Sequence, residues 1–331
     1  MLITALIGFV IAFLVGVIFA PIVLYFARRL KAGQPILHYV EMHSAKSGTP
    51  TMGGILFITT IFSVGLMSFN GSSTFAVVTL AAMVAFGVIG FLDDFIKIKY
   101  KQNLGLRAYQ KIIGQGGVAL ILSWFAYTNT NIGTEILLPF TATTVDIGLF
   151  IIPLVFIVII AVTNSVNLTD GLDGLATSTA IAFISVFAVI VFIISTTLVN
   201  PILIENYNNI IILCAISVGA LLAFLTINCY KAKIFMGDTG SLALGALIAC
   251  ICIFTRLTLI LPFIGIMFVV SSLSVILQVT YFKLTKGKRI FLMAPFHHHL
   301  EKKGYNESRV VNLYSTVTFI VGAVIIILYL I

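Results

Sequence analysis

Residues 75–97 read FAVVTLAAMVAFGVIGFLDDFIK, an apolar run that ends on two adjacent carboxylates, Asp93 and Asp94, with Lys97 one helical turn further on. About 20 residues of helix cross the hydrocarbon of a membrane, so this stretch is a span with charge gathered at one end. The rest of the chain reads the same way. Of its 331 residues 60% are hydrophobic and only 9% charged, where a soluble domain carries roughly 25% charged. An all-α polytopic membrane protein is expected. The apolar runs follow one another too closely to leave a separate soluble core, so residues 1–331 form one membrane domain.

Outward from that span, further crossings are predicted near 3–25, 52–69, 109–127, 145–164, 174–197, 208–227, 239–257, 259–282 and 310–330, which makes ten helices. The first run has no basic residues before it and Arg28, Arg29 and Lys31 after it, the reverse of a secretory signal. It is a retained span with its N-terminus outside. With that parity, eighteen of the nineteen Lys and Arg fall in inside loops and only Arg256 falls outside. Adding or removing an internal span would spoil this bias, so the positive-inside rule supports the count, the orientation and two extracytoplasmic termini. The formal charge of +8 is therefore a topology signal in short loops, not a nucleic-acid surface. Cys214, Cys229, Cys250 and Cys252 lack metal-type spacing and read as buried thiols without a disulfide. Residues 135–140 and 143–147 read as a short hairpin weakened by Pro139, and Pro153 and Pro262 are expected to kink their helices.

Five of the eleven acidic residues, Asp93, Asp94, Asp170, Asp173 and Asp238, lie at span ends on the inside face. Acid in a membrane needs a polar cavity or a cation. A solvated helix end with Lys97 as counterion would account for Asp93-Asp94 alone. The loop Asn167-Leu-Thr-Asp170-Gly-Leu-Asp173-Gly174 has no Lys or Arg, and a helix cap explains one of its acids but not both. In Asn228-Cys-Tyr-Lys-Ala-Lys-Ile-Phe235-Met-Gly-Asp238-Thr-Gly-Ser241, a helix start with Gly before it suits phosphate, and Asp238 can supply an oxygen to a hard cation. The run His297-His298-His299 before Leu300 and Glu301 is a poor zinc site, since consecutive residues of a regular helix cannot all face one ion. Hydrogen bonds to phosphate or sugar oxygens suit it better. His43 to Gly54, with Lys46 and Thr51, suits an anion. Clustered carboxylates beside a phosphate call for a bridging cation, because like charges at about 4 Å cost about 4 kcal/mol, and magnesium is the natural choice.

Asp93-Asp94, Asn-Leu-Thr-Asp-Gly-Leu-Asp-Gly from 167, Met-Gly-Asp-Thr-Gly-Ser from 236 and Ala-Pro-Phe-His-His-His from 294 resemble the successive motifs of the polyprenyl-phosphate N-acetylhexosamine-1-phosphate transferases. The His triplet followed by Leu-Glu resembles in particular their phospho-N-acetylmuramoyl-pentapeptide transferase branch. The likeness runs from about Lys46 to Glu301. It implies ten helices with the active site on the cytoplasmic face of a bacterial plasma membrane. It further implies transfer of phospho-N-acetylmuramoyl-pentapeptide from UDP-MurNAc-pentapeptide to undecaprenyl phosphate, with Mg²⁺ and release of UMP. By the same likeness Asp238 would bind the metal, Asp93 would orient or deprotonate the acceptor phosphate and Asp94 would hold that arrangement. Asn167, Asp170, Asp173, Asn228 and Phe235 would serve the nucleotide, Phe235 by stacking on uracil. Lys46, Thr51, Lys97, Lys111, His297, His298 and His299 would line the cleft.

Two other readings stay open on the residues. A sibling that transfers N-acetylglucosamine-1-phosphate should share the Asp sites and diverge at the His loop. A cation-coupled transporter also carries intramembrane acids, but near mid-span and usually within a repeated architecture. The oligomeric state, a homodimer included, is open.

Overall fold

A computed structural model describes residues 1–29, 48–100, 105–141 and 143–330. Ten helices of fifteen residues or more lie among them, in chain order α1 (Leu2–Arg29), α2 (Gly54–Ser68), α3 (Thr74–Tyr100), α4 (Ala108–Thr128), α5 (Ile151–Thr169), α6 (Leu175–Ser195), α7 (Pro201–Asn228), α8 (Gly237–Phe254), α10 (Ile266–Leu284) and α12 (Glu307–Leu330). Two short helices, α9 (Leu261–Ile264) and α11 (Phe296–Lys302), sit between the last long ones, and two strands, β1 (Glu135–Leu137) and β2 (Thr144–Asp146), form the expected hairpin. Eight of the long helices are long and apolar enough to cross a membrane, so the chain is a multi-pass membrane protein. Helix α2, with 15 residues, and α4, whose first turns hold Gln110, Lys111 and Gln115, fall outside that set.

Helix α8 is the axis of the bundle. Every residue from Thr239 to Phe254 is buried, with α3, α5 and α2 packed around it. Its sequence allows this because small residues recur along it, and without a hydrophobic drive between helices in lipid, close backbone approach does the holding. A Cβ on Gly90 of α3 would lie 2.1 Å from the Asp238 carbonyl oxygen, so the third span can press on the start of α8 only through glycine. Helix α1 shows the same physics from outside. It buries Ala5, Gly8, Ala12, Gly16 and Ala20 against α7 and turns Leu6, Val10, Leu14 and Ile18 outward, the arrangement for a helix whose solvent is hydrocarbon.

Several hydroxyls within the spans are met internally, as lipid requires. Thr60, Thr79, Ser123 and Thr163 donate to the carbonyl four residues back at 2.7–2.8 Å. At one end of the bundle Asn206 of α7 accepts from Phe75 N in the first turn of α3, Asn209 bonds Asn70 of the α2–α3 connection, and Arg256 pairs with Glu135 of the hairpin at 2.7 Å.

The elements depart from the sequence reading in four places. Helix α3 runs eight residues past the predicted end, so Asp93, Asp94 and Lys97 are helical side chains of one continuous element. Helix α7 begins at Pro201 rather than 208, because Asn206 looks like a loop residue in sequence but is a buried hydrogen-bonding one here. The ninth run breaks at Gly265, with Pro262 in the first turn of α9, and Pro153 likewise lies in the first turn of α5. Both prolines sit where a missing N–H costs little. All four cysteines are free, but Cys229 is exposed, since it follows the last residue of α7.

Candidate active site

Four helix ends meet at the pole opposite the hairpin. The last turns of α3 supply Asp93, Asp94 and Lys97, the first turn of α4 supplies Lys111, the last turn of α5 supplies Asn167 and the first turn of α8 supplies Asp238. Lys97 reaches back one turn to Asp93, lies 3.8 Å from Asp94 Oδ1 and crosses to Asp238 Oδ2 at 3.0 Å. Lys111 meets that same oxygen at 2.8 Å. Asn167 Nδ2 donates to Asp238 Oδ1 and to Ser241 Oγ, both at 2.7 Å.

The start of α8 is shaped for this. Gly237 has φ +74, and a Cβ there would lie 2.5 Å from Asp94 Oδ2 and 2.6 Å from Thr51 Oγ1, so only glycine fits both the backbone and the space. Two residues on, the N–H and hydroxyl of Thr239 both donate to Asp94 Oδ2, at 2.9 and 2.7 Å. Asp94 thereby ties α3 to α8. Its neighbour Asp93 accepts from Leu106 N at 2.8 Å through Oδ1 and so ties α3 to the approach of α4.

One carboxylate oxygen from each of Asp93, Asp94 and Asp238 lies within 4.8 Å of the others. Repulsion among negative charges at that spacing is countered by the ammonium groups of Lys97 and Lys111. Asp94 Oδ1 is buried without a hydrogen-bond partner among the described residues. An orphaned carboxylate oxygen beside two further carboxylates is a hard donor set, and it fits a divalent cation of the magnesium type.

Around this core the loop acids divide into two kinds. Asp170 caps α5 and accepts from Gly237 N–H; burial, then the neighbouring Asp238, Asp94 and Asp173, push its carboxyl up to about 8. Asp173 Oδ2 instead accepts from Ala232 N at 3.0 Å. Asn228 is buried and uses both ends of its amide, accepting from Thr177 Oγ1 at 2.8 Å and donating to Ile234 O at 3.0 Å. These two fasten the 229–236 loop to the start of α6. Phe235, half-buried, pairs through its backbone with Pro50 and Gly53. Thr51 is buried, and its hydroxyl has no hydrogen-bond partner among the described residues. Lys46 and His43 lie outside the described residues.

The three histidines have different partners. His297 is buried, with Nε2 only 2.2 Å from where a Cβ on Gly171 would be. His298 Nδ1 meets Glu301 Oε2 at 2.6 Å. His299 Nδ1 accepts from Leu292 N at 3.1 Å, and desolvation together with Lys303 holds its imidazole below the ordinary value. The structure therefore unites Asp93, Asp94, Lys97, Lys111, Asn167 and Asp238 directly, brings Asp170 against them, and attaches His297 through the next residue, Gly171. Sequence reasoning missed Thr239 and Ser241 as partners of the acids, although both stand in the quoted Met-Gly-Asp-Thr-Gly-Ser run, where a hydroxyl at a helix start reads first as a cap.

Residues 74–256 match the family described as Glycosyl transferase family 4, and residues 46–58 match the Phospho-N-acetylmuramoyl-pentapeptide-transferase signature 1. The chain is 44% identical over 312 residues to the phospho-N-acetylmuramoyl-pentapeptide-transferase of Clostridium novyi (strain NT), covering 94% of this chain and 92% of that one. It is 43% identical over 325 residues to the protein of that name from Clostridioides difficile (strain 630), covering 98% and 96%. The counterpart from Halalkalibacterium halodurans is 44% identical over 316 residues, covering 94% and 93%.

Proposed function

The chain belongs to the phospho-N-acetylmuramoyl-pentapeptide-transferase family, and from that premise we propose that it moves phospho-N-acetylmuramoyl-pentapeptide from its UDP carrier to undecaprenyl phosphate. The products are the lipid-linked pyrophosphate and UMP. The observation that carries the reading is the convergence of Asp93, Asp94 and Asp238 with Lys97 and Lys111 at one pole of a membrane bundle. A soluble anionic donor can meet a membrane-bound phosphate only at such a place. We count all ten long helices as crossings and assign the acidic pole to the cytoplasmic side of a bacterial plasma membrane, on the loop-charge bias.

In the reaction an oxygen of the acceptor phosphate attacks the sugar-bearing phosphorus of the donor. A P–O bond forms there as the bridging P–O bond of the pyrophosphate breaks, and UMP leaves with the electron pair. Phosphoryl transfer asks mainly for positioning and charge stabilisation. A phosphate monoester has its second pKa near about 6, so Asp93 orients the acceptor rather than acting as a strong base, and a single displacement suffices. Asp94, clamped by Thr239, holds Asp93's helix end in register with Asp238. Asp238, with the orphaned Asp94 oxygen beside it, would hold Mg²⁺, which when bound supplies Lewis-acid neutralisation of phosphate oxygens. Lys97 and Lys111 carry the cationic charge that lets two phosphates approach. Asn167 and Asp170 face the nucleotide, Asp173 and Asn228 hold the loop that offers Phe235 to uracil, and Lys46, Thr51 and the His triplet complete the cleft.

The test is purified protein incubated with undecaprenyl phosphate and either UDP-MurNAc-pentapeptide or UDP-N-acetylglucosamine, followed by weighing of the lipid products. The muramoyl-pentapeptide product alone is expected. A lipid bearing N-acetylglucosamine would move the assignment to the sibling activity, and no UMP from either donor would overturn it.

A further inference from the structure

Beyond the cluster of acids, a second feature lies on the same pole. A pocket of about 630 Å³ opens between the loop after α7 and the corner joining α11 to α12, lined by Tyr230, Glu301, Tyr305, Glu307, Arg309 and Asn312 among others. Its volume falls within the ~300–1,000 Å³ common for specific ligand sites, and its walls mix both charge signs with two exposed aromatic rings. A chain of contacts leads to it from the acids. Asp170 meets the N–H of Gly237, next to Asp238; Gly171 touches the His297 ring; the His297 and His298 rings are 4.3 Å apart; and His298 meets Glu301, which lines the pocket.

We propose that this pocket holds the peptide of the donor, with Arg309 taking the terminal carboxylate; the proposal rests on the function assigned above. The contact chain from Asp170 through Gly171, His297 and His298 to Glu301 joins the pocket to the acids, and an extended pentapeptide reaches at most about 17 Å. Chemistry agrees. A peptide end presents a carboxylate and flat amide faces, which match one guanidinium and the exposed rings of Tyr230 and Tyr305. Arg309 is oriented rather than loose, because its guanidinium stacks on Tyr305 at 4.6 Å, and a guanidinium binds a carboxylate through two parallel hydrogen bonds. Arg309 is a specificity residue under this assignment and takes no part in the bond-making step.

The experiment compares UMP release from three donors: the full UDP-MurNAc-pentapeptide, the same donor lacking its last two residues, and the pentapeptide donor with its terminal carboxylate amidated. For Arg309→Gln we expect KM for the full donor to rise about tenfold with kcat changed less than twofold, and KM for the shortened donor to stay as in the wild type. Amidation should raise the wild-type KM by a similar factor and leave the variant indifferent, a readout that does not depend on how well the variant folds. Equal losses on full and shortened donors, or no response of the wild type to amidation, would overturn the proposal. Wild-type protein that releases UMP from none of the three would instead sink the parent assignment.

Discussion

Replacing Thr239 by Val tests how the acids are held in place. Valine keeps the shape of threonine and leaves the Thr239 backbone N–H on Asp94 Oδ2 at 2.9 Å, but removes the hydroxyl that donates to the same oxygen at 2.7 Å. A hydrogen bond to a charged group contributes about 1.5–3 kcal/mol, and here it is buried, with Asp94 fully enclosed. If Asp94 must be fixed for α3 and α8 to share a cation, kcat/KM should fall by about 10- to 150-fold, at about 1.4 kcal/mol per factor of ten. UMP release in detergent measures it. Melting temperatures of Thr239→Val, Asp94→Asn and the double variant measure the coupling, which for groups in contact should exceed about 0.5 kcal/mol. Wild-type turnover in Thr239→Val, or strictly additive melting shifts, would refute the argument that this pair joins the two helices.

Asp238→Asn removes the charge that both lysines grip while keeping the side chain's shape, so turnover should drop by at least about a thousandfold, equivalent to about 4 kcal/mol, with a normal gel-filtration profile; near-normal turnover contradicts its role. Asp170 keeps its proton up to about pH 8 in the folded state, whereas the unfolded chain surrenders it near about 4. Stability from this group is thus lost as pH rises between those values. In metal-free buffer Asp170→Asn should melt higher than the wild type at pH 8 and alike at pH 4.5, and a gap that shrinks with rising pH would be inconsistent with the shift. Gly90→Val should abolish folded yield, since its Cβ would meet the Asp238 carbonyl, while Gly117→Ala, with open space around it, should express and melt as the wild type does.

Much of this architecture was legible because membrane solvent writes simple rules into sequence. Apolar length located nearly all the long helices, and the acidic motifs named the residues that meet at one pole. What the sequence obscured follows from polar residues that serve structure. Asn206 looked like loop and is part of a buried helix end; Thr239 looked like a cap and is a clamp; Asn228 looked available and has both ends of its amide engaged. In each case the residue type was visible, but its partner lay 50 or more residues away or in the adjoining loop, and spacing along one chain carries no record of that. The pocket at Arg309 was invisible for the same reason, being made by Tyr230 after α7 and by residues of α11, α12 and the corner between them.

The central claim is that Asp93, Asp94 and Asp238 form the seat of a divalent cation at the donor's pyrophosphate. Crystals grown with the UDP donor and Mn²⁺, with anomalous scattering recorded at the manganese edge, test it directly. The account predicts one strong peak within coordination distance of Asp238 and facing Asp93 and Asp94. A peak at the histidine triplet alone, or donor bound without any metal at the three aspartates, would contradict it.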